Sequence, residues 1–320
     1  MKIGLSLICI FFLAICVTSC AKSPALEHAS NGDVFMEQGN YDQAISEYSQ
    51  AIELDPAYPE IKNKLAVAYS DRGKTFVDKK EWDNAIADTN KAIELDPQFA
   101  NAYNIRGSAY IKKGAEDEAT AFEHKYNEES ALATEFFNKA IDNFTLAIDD
   151  KKMALKLNPT HELYKQNLAI AYNERGKVYN EKEDWDLAIS DFTAALELEP
   201  DMKEAYNNRG YAYNGKGFSD KAIADLDKAI ELDPNVALYY SNRSWSYYQK
   251  EEYDQAIIDG TSAIKLDPNL AVAYMNRGNS YFQKGMMTKA AEDFNKVLDL
   301  TRDPELIAAA NKVLLIIQSK

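Results

Sequence analysis

Bond-making chemistry needs reactive side chains that converge, and this sequence keeps its candidates apart. The three histidines are His28, His124 and His161, and none has a partner at metal-ligand spacing. No glycine-rich phosphate loop and no nucleophile elbow occurs. Of the cysteines, Cys9 and Cys16 lie in an apolar N-terminal stretch and Cys20 follows it. Acidic residues number 51 against 36 Lys and Arg, a net charge of −15, but they recur at capping and solvated positions and form no paired set. Such a surface repels phosphate backbones and anionic head groups, which argues against nucleic acid as a partner. The residue types therefore predict no enzyme, no metal and no cofactor.

Cys20 has a setting of its own. Lys2 supplies a positive start, Ile3 to Val17 is almost wholly apolar, and Val17-Thr18-Ser19-Cys20 closes the segment. The core is short of the roughly 20 apolar residues of a membrane span but suits a secretory signal. The order resembles the lipobox of bacterial lipoproteins. That resemblance implies a signal peptide over 1–19, cleavage before Cys20 and acylation of its thiol. It also implies a lipid-anchored envelope protein. Ala21, where an inner-membrane retention signal would resemble Asp, implies the outer membrane facing the periplasm in a Gram-negative cell. Loss of Cys9 and Cys16 with the signal leaves no intrachain disulfide. Residues 20–31, small and polar, read as a tether.

The remaining polar residues stand in columns. Arg72, Arg175, Arg209, Arg243 and Arg277 each have an aspartate sixteen residues later, giving pairs such as Arg209–Asp225, Arg243–Asp259 and Arg277–Asp293. This spacing reads as a repeated ion pair between helices; the rival reading is an anion-binding row. In one irregular unit the register sets Asn143 opposite Arg106.

The elements that carry these columns repeat. Pro56, Pro97, Pro159, Pro200, Pro234, Pro268 and Pro304 recur at intervals of 41, 62, 41, 34, 34 and 36 residues. Tyrosines 69, 103, 172, 206, 240 and 274 mark one helix, with glycine four residues on in most units and an aromatic three further. Alanines 44, 85, 188, 222, 256 and 290 mark a second. Spacings of three, four and seven place each set on one helix face. The unit resembles the tetratricopeptide repeat, over about residues 30–304 and seven units. The resemblance implies an all-α solenoid: antiparallel helix pairs stacked as a right-handed superhelix with a concave face.

Four stretches follow the signal and tether: a repeat block at 32–114, an insertion at 115–159, a second block at 160–304, and a C-terminal capping helix at 305–320. Segments 57–97 and 160–200 share 18 of 41 positions, which points to duplication of a block whose first helix is seven residues longer. Gly114 lies four residues after Tyr110, as Gly217 lies after Tyr213, so a turn is expected there. Beyond it, no glycine or proline intervenes before Pro159, and Ala119, Tyr126, Ala133, Ala140, Ala147 and Ala154 are spaced by seven. This predicts one long helix over 116–157, roughly 60 Å at 1.5 Å per residue, dislocating the two blocks. A hairpin turning at Asn127-Glu128-Glu129 is the alternative.

The face beside the tyrosine column is the expected binding surface: Asn207, Asn208, Tyr211, Asn242, Trp245, Tyr248, Met275, Asn276, Asn279 and Phe282. Asn208, Asn242 and Asn276 resemble the asparagine ladder that holds an extended peptide in some repeat proteins; alternatively they satisfy polar groups between helices. The expected function is an envelope-anchored adaptor that binds a protein or extended peptide. A receptor for a small apolar ligand is the alternative. The apolar tail, with Leu306, Ile307, Val313, Leu314, Leu315, Ile316 and Ile317, covers more than one helix face, and the surplus suggests a homodimer through this helix.

Mass spectrometry of the protein expressed in a bacterial host should find acyl mass on Cys20 as the first residue. Cys20→Ala should release the chain from membranes. An unmodified mature chain beginning elsewhere would refute the lipobox reading.

Overall fold

The computed structural model describes residues 23–319. The signal segment, Cys20 and the first residues of the tether lie outside the described residues. Fifteen helices and no strand are found among the described residues. Asp-Pro pairs end most of the second helices, as proline demands. The carboxylates of Asp55, Asp96, Asp233 and Asp267 each accept the backbone N–H two residues on, at 2.9–3.2 Å.

Contacts divide the chain into two compact units that part at Tyr69/Ser70, inside a helix. The first holds α1 (Pro24–Glu37), α2 (Tyr41–Leu54) and the start of α3 (Pro59–Asp78). The expected tether is thus a correction: from Pro24 the chain is helical, capped by the Ser23 hydroxyl, which accepts the Leu26 N–H. Glycine at position 32 admits the Tyr48 ring, where a Cβ would stand 2.5 Å from Cε1. Tyr48 donates to Asp33 at 2.8 Å, and Lys64 pairs with Asp33 at 2.7 Å. His28 finds Glu47 at 2.8 Å.

The second unit holds the rest of α3, then α4 (Trp82–Leu95), α5 (Ala100–Tyr126), α6 (Ser130–Leu157), α7 (Glu162–Glu181), α8 (Trp185–Leu198), α9 (Lys203–Gly215), α10 (Ser219–Leu232), α11 (Ala237–Gln249), α12 (Tyr253–Leu266), α13 (Ala271–Gln283), α14 (Met287–Leu300) and α15 (Pro304–Gln318). From α4 to α15 each helix packs on the next in order, and α5, α7, α9, α11 and α13 also touch in series. The buried face of most second helices is an alanine with a larger partner, such as Ala222 with Leu226 or Ala290 with Phe294; in α12 Gly260 takes the partner's place and lies against Arg277. Helices approach closely at glycine: a Cβ on Gly176 would meet the Phe192 ring at 2.7 Å.

The expected long helix over 116–157 is overturned. The chain turns at Asn127-Glu128-Glu129, and α5 and α6 form an antiparallel hairpin. Glu128 takes φ of 62° there, the conformation that Gly217, Lys80, Glu183 and Glu251 take at the other turns. The Glu129 N–H reaches back to the His124 carbonyl at 2.9 Å, as Asp184 does to Tyr179. A left-handed glutamate carries a small strain of about 1–2 kcal/mol, which the paired helices offset. Gly114 makes no turn; it lies within α5, where the Phe144 ring would stand 2.9 Å from a Cβ. The glycine therefore serves close packing. Nor are the two blocks dislocated, because α4 packs on α5, α6 on α7, and α5 on α7.

The hairpin arms have 27 and 28 residues, against 13 and 14 in α9 and α10. Each is longer by fourteen residues, about four turns, so the packing face continues almost in line. The ion pair follows this register. Arg106 binds Asp150 with two bonds, at 2.6 and 2.8 Å, and the expected partner Asn143 donates to Asp117 instead. The extra length of α7, 20 residues, is taken up against the same hairpin. Asn167 near its start donates to Asn104, and Lys177 further on lies 3.8 Å from Glu118 in the extended part of α5.

In the hairpin, Lys151 stands where Phe192, Leu226 and Phe294 stand in other units, and it is fully buried. Its ammonium donates to the Asn104 carbonyl, the Asn104 Oδ1 and the Ser108 hydroxyl at 2.6–2.8 Å. Burial pulls its pKa down to about 7, with the Asp150 charge opposing. An unfolded lysine holds its proton to about pH 10.4, so between these values the unfolded chain binds more protons and stability rises with pH. Urea unfolding of the wild type should therefore show a gain in stability from pH 7 to 10. Lys151→Met should abolish that slope and raise stability by about 1 kcal/mol or more at pH 6, since an apolar residue of similar volume replaces a buried charge. A slope unchanged in the variant would place the titration elsewhere.

Candidate functional site

The first helices of successive units are held by one recurring clamp. In Arg209 the guanidinium gives two bonds to Asp225, at 2.7 and 2.8 Å, and a third to Thr193 in the preceding unit at 3.1 Å. Tyr206 and Tyr213 lie on either side of it, with ring centroids 5.8 and 6.0 Å away. Arg175, Arg243 and Arg277 repeat this arrangement with Asp191, Asp259 and Asp293. Their third bonds run to Thr145, Asp227 and Thr261. The arginines are thus structural, and the anion-binding alternative has no free fork to use. Exposed pairs sixteen and thirty residues apart add little; Lys250–Asp220 at 3.0 Å is one.

The clamps leave the opposite side of the odd helices facing a groove of about 1190 Å³. Its floor carries Asn207, Asn208, Tyr211, Leu238, Asn242, Trp245, Val272, Met275, Asn276 and Asn279. One side is α5 with Ala115, Glu118, Ala119 and Phe122, next to Lys177, Asn180 and Glu181 of α7. The other is α15, with Leu306, Ala309, Lys312, Val313 and Ile316. Glu118 is buried, which pushes its carboxyl above the usual range, with Lys177 opposing. Lys177 binds Glu174 at 2.5 Å, and despite its burial these two acids hold its ammonium above its ordinary value.

Eight of the ten residues expected at the binding surface line this groove; Tyr248 and Phe282 do not. Tyr248 stacks on Trp245 with ring centroids 5.1 Å apart and so backs the site. Phe282 packs into the core that joins α13, α14 and α15. The asparagine column ties unit to unit. Asn208 donates to Asn173 Oδ1 at 3.1 Å, Asn242 to Asn207 Oδ1 at 2.9 Å, and Asn276 to the Ser241 carbonyl at 3.0 Å. This is the inter-helix role that stood as the alternative to the ladder.

Sequence reasoning missed the walls. A signal was present: Leu238, Val272 and Leu306 are spaced by 34, as are Tyr211, Trp245, Asn279 and Val313. The tail helix thus continues the first-helix columns into an eighth unit. Its apolar surplus turns inward, since Leu306, Val313 and Ile317 pack on the core and Ile316 lines the groove, while Leu315 is 67% exposed. Among the described residues no group of three or more His, Cys, Asp or Glu could hold a metal ion, and no helix is long and apolar enough to cross a membrane.

Paired helices in series, clamped at a fixed register, define an all-α repeat scaffold. Sequence models described as TPR repeat match residues 32–72, 73–114 and 246–285, and models described as tetratricopeptide repeat match 173–237 and 271–303. The chain belongs to the tetratricopeptide-repeat family. The matches leave out residues 115–172, which hold the end of α5, all of α6 and the start of α7. No curated protein matches the chain. Among solved structures, the C-terminal part of a TPR repeat-containing protein from Cytophaga hutchinsonii is similar, with a TM-score of 0.52 and 17% identity over 88% of this chain and 98% of that one. A tetratricopeptide repeat protein from Parabacteroides merdae aligns at a TM-score of 0.41 and 17% identity, over 92% and 99%. YrrB, described as a TPR protein with an unusual peptide-binding site, aligns at 0.47 and 23%, over 71% and 95%. These are likenesses of fold.

One polar group at the groove is left over. Asn214 donates to the Asn242 carbonyl at 3.1 Å, and its Oδ1 accepts the Ser246 hydroxyl at 2.8 Å. Asn180, one unit earlier, donates likewise to Asn208 at 3.1 Å, but its buried Oδ1 has no partner, because Ala212 stands where Ser246 does. Ala212→Ser should supply the missing donor and stabilise the fold by about 1 kcal/mol, the net worth of a hydrogen bond to a group otherwise unsatisfied. Urea midpoints of the two proteins check this; a destabilised variant would mean that the site has no room for the hydroxyl.

Proposed function

We propose that the chain is an adaptor of the bacterial cell envelope, held to a membrane through an acylated Cys20, whose groove recruits a protein partner. The groove carries this reading. One face of six helices, α5, α7, α9, α11, α13 and α15, lines a single apolar trough, with Trp245, Tyr211 and Met275 on its floor. Interface energy concentrates in such aromatic anchors once they are desolvated. Two of the charged groups along the groove are paired with neighbours outside it: Lys177 with Glu174, and Glu181 with Lys125 at 3.2 Å. The lipobox order and the net charge of −15 support an exported, membrane-tethered protein with neutral or basic partners.

A receptor for a small apolar ligand is the second reading. The walls supplied by α5 and α15 favour it, because they enclose the floor on two sides. Native mass spectrometry of the purified protein distinguishes the two, since a receptor would carry a small apolar adduct that is lost on filling the groove.

Affinity capture from detergent-solubilised envelopes tests the adaptor reading. A partner retained by the wild type should bind Trp245→Ala at least tenfold more weakly, about 1.4 kcal/mol, while helicity and melting stay unchanged. Equal capture by a Trp245→Ala, Met275→Ala double variant would place the interaction outside the groove.

A further inference from the structure

The walls of the groove are helix faces that are covered only in part: Phe122 meets Phe137 of α6 edge-on at 5.4 Å, and Leu306 and Val313 pack on the core of α13 and α14, while the rest of each face is turned to the groove. On α5, Ala115, Ala119 and Phe122 stand at i, i+4 and i+7; on α15, Leu306, Ala309, Val313 and Ile316 stand at i, i+3, i+7 and i+10. Elsewhere in this chain such a stripe is covered by another helix. Ala133, Phe137, Ala140 and Phe144 of α6, at the same spacing, are buried in one core with Ala121 of α5 and Val178 of α7. The groove stripes keep an open part: Ala119 and Ala309 are exposed, Phe122 is 40% exposed and Ile316 39%, while Ala115, Leu306 and Val313 are half-buried.

The floor gives the same answer from its hydrogen bonds. Asn208, Asn242 and Asn276 each already donate to the preceding unit, so the column is engaged as a structural tie. An extended occupant brings an N–H and a C=O at every residue that must be paired when buried. A helix arrives with its interior backbone groups already bonded and asks the site for apolar contact alone.

Building on the adaptor reading above, we propose that the groove's occupant is a short α-helix of a partner protein, seated between α5 and α15. Its apolar residues recur at three- and four-residue spacing on two faces, one for each wall. The α15 stripe, from Leu306 to Ile316, is about 15 Å long at 1.5 Å per residue, which sets a contact of about ten residues. The lining charges balance, Glu118 and Glu181 against Lys177 and Lys312, so the buried face of the occupant is uncharged. The chain's net charge of −15 favours basic residues on the flanks that stay in water.

The test uses a displayed library of random 16-residue peptides, selected on the full chain and on the Ala119→Lys, Ala309→Lys double variant. Both substituted positions are exposed, and circular dichroism with thermal melting establishes that the variant stays folded; Ala119→Gln, Ala309→Gln serves if it does not. The proposal expects enriched sequences with Leu, Ile or Phe at i, i+3 or i+4, and i+7. A side-chain-stapled helical form of the best sequence should bind at least tenfold more tightly than the linear form, and the double variant at least tenfold more weakly than the wild type. Enrichment of alternating or proline-rich sequences that still depend on Trp245 would overturn the helical occupant and leave the groove as the binding site. Enrichment that is equal on the blocked variant would overturn the groove itself.

Discussion

The stacking of the second unit rests on one side chain used repeatedly: Arg106, Arg175, Arg209, Arg243 and Arg277 make the same clamp. Each clamping arginine holds the aspartate of its own second helix with two bonds, while a third nitrogen reaches the second helix of the unit before. A planar fork with five donors can serve two helices at once, which a lysine cannot. The tyrosines on either side shield the ion pair from water, so it acts across a lower dielectric than a surface pair. The aspartates are 4–8% exposed, and removal of one partner from such a buried pair costs about 3–5 kcal/mol. The clamp therefore sets both the pairing inside a unit and the stacking between units.

That constraint explains how the chain tolerates irregular units. Length enters only in sevens: 20-residue first helices in α3 and α7, and two added heptads in each arm of the hairpin. Seven residues are nearly two turns, so the arginine and its glycine keep facing the partner helix. The longer helices then find one another. The start of α7 meets the ordinary part of α5, and the rest of α7 meets its extension. The extension in turn supplies a wall that regular units lack. The groove is thus bounded by the lengthened α5 at one end and by α15 at the other.

The helix pairs, the seven units and the ion pairs of Arg209, Arg243 and Arg277 follow from columns of residues, because a periodic sequence forces periodic contacts. The turn at Glu128 was legible too, since Asn127-Glu128-Glu129 parallels Lys182-Glu183-Asp184 and Lys250-Glu251-Glu252, where the middle residue is also left-handed. It escaped because glycine is the usual mark of that conformation, while Gly114 carried the mark and was needed for the Phe144 ring. Arg106 was matched to Asn143 for the same reason: with the turn displaced, the register across the hairpin was counted from the wrong place.

By itself the sequence determined local geometry: which residues are helical, which face of each helix is buried, where proline ends it, and which arginine meets which aspartate in a regular unit. These are set by spacing along one or two adjacent helices, within reach of a short stretch of chain. Only the tertiary structure decided what lies across the groove. Phe122 and Ile316 are nearly two hundred residues apart, and no periodicity joins them; they line one space because the stack of helices between them brings α5 and α15 to the same groove. The inter-unit bonds of the asparagines were decided there as well. An amide beside a groove has two N–H donors and an acceptor, and a neighbour engages one of them where an acceptor of the preceding unit stands within about 3 Å. At Asn173, Asn207 and Ser241 it does.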